Sequence, residues 1–284
     1  MVPRTMAYSA EISRTQPACI LILVDQSGSM EEPFGGPGGT RQKAEGVADV
    51  TNRLLQNLVV RCAREDGIRD YFHLGVLGYG EHVGSAFSGP LAGRGLVPVS
   101  EIGHAPARLE ERTREREDGM GGLVREKVRF PIWFEPKAHG PTPMCQVLGR
   151  ATEWVREWMR QHPESFPPIV VNISDGQPTD GDPTAAAAAL RSVRGEDGAV
   201  LLLNVHLSSI PAQPIQFPDA EVVLPDAHAR LLFDLSSPLT PGMRDAAREE
   251  GHAVRDGARA FTFNADIVSL IKFLNIGTRP GNLR

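Results

Sequence analysis

The sequence predicts an α/β protein: a doubly wound, mostly parallel sheet with helices on both faces and one antiparallel edge strand. Three observations carry that expectation. Short continuous apolar runs recur at CILILV (19–24), PIVVNIS (168–174) and AVLLLNVH (199–206), and such runs read as strands buried on both faces. Between them, apolar residues return at helical spacing, and strands alternating with helices make βαβ units. The first two runs also end abruptly in polar residues that include a carboxylate. In an open α/β sheet that is where ligands gather.

Taken in order, the first strand ends in Asp25-Gln26-Ser27-Gly28-Ser29 and a Gly/Pro loop follows over 31–43. Ala44, Val47, Ala48, Leu54, Leu55, Leu58, Val59 and Cys62 form one core-facing stripe and predict a helix over about 41–64, closed by Asp66-Gly67. A second strand is expected over 71–79 and an edge strand over 82–87. The segment ARLEERTREREDG (107–119) has alternating charge signs that suit a short solvated helix. Gly119-Met120-Gly121-Gly122 breaks it, and VRFPIWF (128–134) is apolar enough to pack back on the body, although Pro131 excludes it from a central strand. Pro143 sits just inside a helix start, where its missing N–H costs nothing. That helix runs to about 161 with Met144, Val147, Leu148, Ala151, Val155, Trp158 and Met159 on its buried face. Further helices are expected over 184–194, 228–233, 241–251 and 266–274, and a last strand over 259–264. The resulting division is an extension over 1–17, one domain over 18–275 with insertions near 88–140 and 208–255, and a tail over 276–284.

Composition narrows the function. The 284 residues carry a net charge of −5 with basic and acidic residues interspersed, so nucleic acid is not an expected partner. No run of about eighteen apolar residues is present and the first residues lack a hydrophobic signal core, so no membrane partner and a cytoplasmic location are expected. Cys19, Cys62 and Cys145 are odd in number and far apart, which suits a reducing compartment and gives no disulfide framework.

Asp25, Ser27 and Ser29 place three oxygen donors at alternate positions beyond a strand end, a set suited to a hard cation such as Mg²⁺. The same residues are also ordinary turn chemistry, with serines bonding to backbone. Thr142 stands at a helix entrance, as a cap or as a ligand. Asp175 again puts a carboxylate after a buried strand. In a doubly wound sheet the three loops can converge on one edge.

At this point the chain resembles the von Willebrand factor A (VWA) family over about 18–274. Its metal-ion-dependent adhesion site uses Asp-x-Ser-x-Ser, a distant Thr and a distant Asp, matched here by Asp25-Gln26-Ser27-Gly28-Ser29, Thr142 in GPTPM and Asp175 in SDGQPTD. The resemblance implies a Mg²⁺ site, with Mn²⁺ or Ca²⁺ as alternatives, formed by Asp25, Ser27, Ser29, Thr142 and Asp175. Ser27, Ser29 and Thr142 would contact the ion directly or through water, and the two aspartates mostly through water. It implies a non-enzymatic module that docks a partner's Asp or Glu through the ion. Without a signal peptide or membrane span, the chain looks more like the stand-alone bacterial cytoplasmic VWA proteins, including the tellurite-resistance-associated group. Those are linked to stress, defence or signalling complexes holding kinases, phosphatases or AAA+ ATPases. The stretches over 88–140 and 208–255 are longer than a minimal member needs.

Two other readings stay open. Strand-end aspartates with Mg²⁺ also serve phosphohydrolases, although position 27 is Ser rather than a second Asp and GGPGGT (35–40) lacks a phosphate-loop lysine. Alternatively the metal is purely structural and partners bind elsewhere. Asp180 and Asp182 are expected in Asx-type turns, Glu81 is at most an outer neighbour of the ion, and His73, His139 and His206 are read as packed or surface histidines. Trp154 and Trp158 are read as core.

Overall fold

The computed structural model describes residues 7–33, 41–117, 123–208, 212–219, 224–264 and 272. In chain order its elements are β1 (Ala18–Asp25), a 3₁₀ turn (Gly28–Glu31), α1 (Lys43–Cys62), β2 (Ala63–Arg64), β3 (Gly67–Ile68) and β4 (Phe72–Tyr79). Next come β5 (Val83–Ser85), β6 (Val97–Pro98), α2 (Val99–His104), β7 (Arg108–Glu117), β8 (Leu123–Ile132) and α3 (Met144–Gln161). The remainder is β9 (Ile169–Ser174), α4 (Thr184–Ser192), β10 (Leu201–His206), β11 (Ile215–Gln216), α5 (Ala227–Leu235), α6 (Pro241–Glu249) and β12 (Phe261–Phe263).

Among the described residues, eight strands form the main sheet in the order β11-β12-β10-β9-β1-β4-β5, with β6 also paired to β4. Strands β1, β4, β9, β10 and β12 are parallel. The antiparallel edge expected over 82–87 is β5, and β11 adds a second antiparallel pairing at the opposite edge.

The central strands β1, β9 and β10 are buried along their whole length, so both alternating sets of side chains lie in a core. Ile20, Ile22 and Val24 of β1 face one core with Val47, Leu54, Leu55 and Leu58 of α1 and Met243 and Ala247 of α6. Cys19, Leu21 and Leu23 face the other, with Met144, Val147, Leu148 and Val155 of α3, Leu190 of α4 and Leu232 of α5. The sheet is therefore covered by helices on both faces.

One expectation is corrected. The charged segment 107–119 is not a helix: β7 and β8 pair antiparallel from Arg108↔Ile132 to Glu117↔Leu123. Pro131 is tolerated because this two-stranded hairpin is all edge. The hairpin is pinned to α1 at its base. Arg112 of β7 bonds the buried Asp49 of α1 and stacks over the Phe130 ring at 3.7 Å. Beyond β8, Asn52 of α1 is fully satisfied: its Oδ1 accepts from the Trp133 and Phe134 amides, and its Nδ2 donates to the Ala48 and Phe134 carbonyls. Trp133, Phe134, Leu91, Val97 and Ile102 lie in the same core as β1, as does Ile12 from the segment before it. The Gly-rich stretches 34–40 and 119–122 lie outside the described residues, as does the closing helix expected over 266–274 apart from Lys272.

Candidate metal centre

The strand order fixes where a ligand can sit. From β1 the chain proceeds through α1 to β4 on one side, whereas β9 and then β10 and β12 lie on the other. The direction of winding reverses between β1 and β9, and the crevice beyond their carboxyl ends is the expected ligand position. Asp25 is the last residue of β1, and Asp175 directly follows β9.

Backbone bonds draw the third loop to this crevice. The Gln26 amide donates to the Tyr79 carbonyl at 2.7 Å, the His139 amide to the Gln26 carbonyl at 2.6 Å and the Gly28 amide to the Gly140 carbonyl at 3.0 Å. Gly140 has φ +92°, and a Cβ there would lie 2.5 Å from the Glu81 nitrogen, so only glycine fits this crossing. Thr142 follows two residues later. Its amide donates to Thr179 Oγ1 at 3.0 Å, and its carbonyl accepts from the Thr179 and Met144 amides. Its hydroxyl does not cap α3, whose N-cap position is Pro143.

The five residues singled out from the sequence meet here. Asp25 is fully buried, accepts from the Ser27 amide at 2.9 Å through Oδ1 and from the Ser174 hydroxyl at 2.6 Å through Oδ2. Ser27 Oγ and Ser29 Oγ are 3.1 Å apart, and the Ser29 hydroxyl donates to Asp175 Oδ1 at 2.7 Å. The Cβ that residue 176 would carry, were it not glycine, lies 3.6 Å from both Ser29 Oγ and Thr142 Oγ1. Gly176 thus leaves a cradle between the hydroxyls of two loops. Burial pushes the Asp25 carboxyl up to about 6, against the lowering pull of the Ser174 and Ser27 bonds.

The sequence reading missed one charged group. Lys43, the first residue of α1, is buried, and its ammonium bonds Asp175 Oδ2 at 2.7 Å and Glu32 Oε2 at 2.8 Å. Its one sequence signal, a lysine set against the macrodipole in a helix's first turn, says that it needs carboxylates but not which ones.

This donor set fits a hard divalent cation: two carboxylates and three hydroxyls, all oxygen, at one strand-end crevice. Ser27, Ser29 and Thr142 would offer neutral oxygens and Asp25 and Asp175 the negative charge. Among the described residues no cluster of three or more His, Cys, Asp or Glu is placed to hold a metal; the hydroxyls are what would complete the set here.

The neighbouring residues divide by role. Asp182 makes the expected Asx turn, accepting from the Thr184 amide at 2.9 Å. Asp180 does something else: it accepts from the Cys145 and Gln146 amides and so caps α3 from across the crevice. Glu81 and His139 are exposed on the rim, 3.9 Å apart. His73 accepts from Trp158 Nε1 at 2.9 Å, and His206 is buried at the end of β10. Trp158 is buried, whereas Trp154 is only half-buried beside it.

No family model matches the chain, and no curated protein matches it. Among solved structures, proximal thread matrix protein 1 from the mussel byssus is similar at 14% identity and a TM-score of 0.47, over 92% of this chain and 47% of that one. The PilB minor pilin from Streptococcus sanguinis is similar at 10% identity and 0.42, over 92% and 61%. The vWF domain of the type V pili tip protein Mfa5 from Porphyromonas gingivalis is similar at 13% and 0.30, over 57% and 39%. This chain spans less than two thirds of the length of each.

Proposed function

We propose that this protein is a metal-dependent protein-docking module of the VWA type: a divalent cation, Mg²⁺ in the first instance, held by Asp25, Ser27, Ser29, Thr142 and Asp175 receives a carboxylate from a partner. The single observation that carries this reading is the convergence of oxygen donors from three loops at the reversal of strand order, with Gly176 leaving the space between the Ser29 and Thr142 hydroxyls. The chemistry follows from the donor set. Three of the five donors are neutral hydroxyls and the aspartates are expected to act mostly through water, so a divalent ion keeps an open position that an external carboxylate can fill. Around the crevice, Glu31, Glu32, Glu81 and Asp182 are exposed, so an acidic partner is repelled unless the ion is in place. Ion and partner binding are thereby linked. A place in a bacterial stress, defence or signalling complex, with a kinase, phosphatase or AAA+ ATPase as the partner, belongs to the same proposal.

Thermal unfolding tests it. A ligand present at 100 times its Kd stabilises the folded state by about 2.7 kcal/mol, roughly 5–10 °C for a chain of this size. Millimolar Mg²⁺ is expected to raise the Tm of wild type by several degrees and to leave Asp25→Ala and Ser29→Ala unmoved. Equal shifts in wild type and both variants would place any bound ion elsewhere and overturn the reading.

A further inference from the structure

The buried ammonium of Lys43 has no part in the five-oxygen set, and its placement is unusual enough to require a reason. It stands on the first residue of α1, where the helix dipole disfavours a cation. Its side chain is 2% exposed and that of Asp175 1%. Burying a lysine is costly unless it is paired, and this one is paired with a carboxylate expected to serve the metal. The two Asp175 oxygens are divided between two masters: Oδ1 receives the Ser29 hydroxyl at 2.7 Å and Oδ2 the Lys43 ammonium at 2.7 Å.

We propose that Lys43 is a built-in counter-cation of the candidate metal centre, one that weakens its hold on a bare divalent ion and lets an acidic ligand tighten it. This rests on the reading of the five oxygens as metal ligands. Among the described residues, Asp25 and the side chain of Asp175 are the buried carboxylates facing the crevice, and Lys43 offsets one of them. The Glu32 carboxylate, which also meets Lys43, is 50% exposed, so water screens its charge. A divalent ion entering this centre therefore meets one uncompensated buried negative charge rather than two. Once bound, the ion leaves the crevice with an excess positive charge, which a partner's carboxylate cancels. Without the ammonium, the ion would be neutralised by Asp25 and Asp175 alone, and an incoming carboxylate would add an unmatched negative charge. Lys43 thus separates a centre that stores a metal from one that needs a partner to complete it.

The same arrangement explains how the crevice is held without an ion. Two carboxylates buried side by side repel each other, and the ammonium with the Ser29 and Ser174 hydroxyls satisfies them. The folded state is then in hand before the ion arrives, and ion affinity is free to be set by what docks.

Isothermal titration of Mg²⁺ into wild type, Lys43→Met and Lys43→Gln, each with and without acetate as the carboxylate probe, tests this. Lys43→Gln keeps a hydrogen-bond donor for Asp175 and serves if the methionine variant does not fold by circular dichroism. The expected result is Mg²⁺ binding about tenfold tighter or more in the variants, as removal of a like charge near the ion requires. Acetate is expected to tighten Mg²⁺ binding in wild type and to have little effect in the variants. Folded variants that bind Mg²⁺ no tighter than a binding-competent wild type would overturn the proposal and make Lys43 a brace for Asp175. If neither wild type nor folded variants bind Mg²⁺, Mn²⁺ or Ca²⁺, the failure is that of the metal centre itself, and the proposal falls with it.

Discussion

Asp25, Ser27, Ser29, Thr142 and Asp175 bring their oxygens to one crevice from three loops. Each follows a local signal that was legible in the sequence: two stand at the ends of buried strands, two alternate after a strand, and one precedes a proline at a helix start. Lys43 was not legible as part of the crevice, since nothing local says which way a long side chain at a helix start will turn. Individual glycines carry the rest of the site. A Cβ on residue 80 would lie 2.7 Å from the carbonyl oxygens of both Gln26 and His139, and neither backbone can withdraw without parting the loops. Gly80→Ala is expected to cost about 1–3 kcal/mol, the usual range for overpacking, and urea unfolding measures it. Gly176→Ala is different, because contacts at 3.6 Å are ordinary van der Waals distances. That variant is expected to fold with unchanged stability and to lose the Mg²⁺-dependent rise in Tm. A third residue-level test concerns His73. Burial and the nearby His162 hold its imidazole below the ordinary value of 6.5, so the folded state binds that proton less readily than the unfolded chain. The stability it contributes is complete above 6.5 and falls as pH drops from there through the folded value. Loss of the Trp158 Nε1–His73 bond in that window is expected to change tryptophan fluorescence, and His73→Gln should remove that transition.

At the scale of elements, the parallel strands and the long helices followed from apolar periodicity, and the hairpin did not. In RLEERTRERE neither a two-residue nor a helical apolar period exists, so the usual signal is silent. What makes these residues a strand is tertiary: the partner strand ending in FPI, the Arg112–Asp49 ion pair and the Arg112–Phe130 stack. Burial pushes the Asp49 carboxyl up, but the hydrogen bonds and charges of Arg53 and Arg112 prevail and hold it below the ordinary 3.8. Its contribution is therefore complete above that value and lost as pH falls through the lower, folded one. Asp49→Asn is expected to cost about 1.5–3 kcal/mol, as for hydrogen bonds between charged groups, and to raise hydrogen exchange in β7 and β8 before the main sheet opens. Equal exchange in both proteins would mean that the hairpin is held by other contacts. The hairpin feeds the segment that Asn52 grips and that leads to Thr142, so its loosening should also weaken Mg²⁺ binding.

For the whole molecule, the sheet order decides the function proposed. Because winding reverses between β1 and β9, the two strands that carry Asp25 and Asp175 are neighbours with no helix crossing between their carboxyl ends. A chain of buried polar groups ties β4, β9 and β10 to the end of α5. Tyr79 donates to Asn172 at 2.7 Å, Asn172 to Asn204 at 2.9 Å and Asn204 to Ser236 at 3.0 Å. These asparagines sit inside apolar runs and gave no sign of a network in the sequence, because their partners are distant in the chain. The measurement that bears most directly on the central claim is the anomalous difference map of crystals grown with Mn²⁺. A single peak bonded to the oxygens of Ser27, Ser29 and Thr142, with Asp25 and Asp175 around it, is the predicted result. Density absent from that crevice at saturating Mn²⁺, or present only at another site, would contradict it.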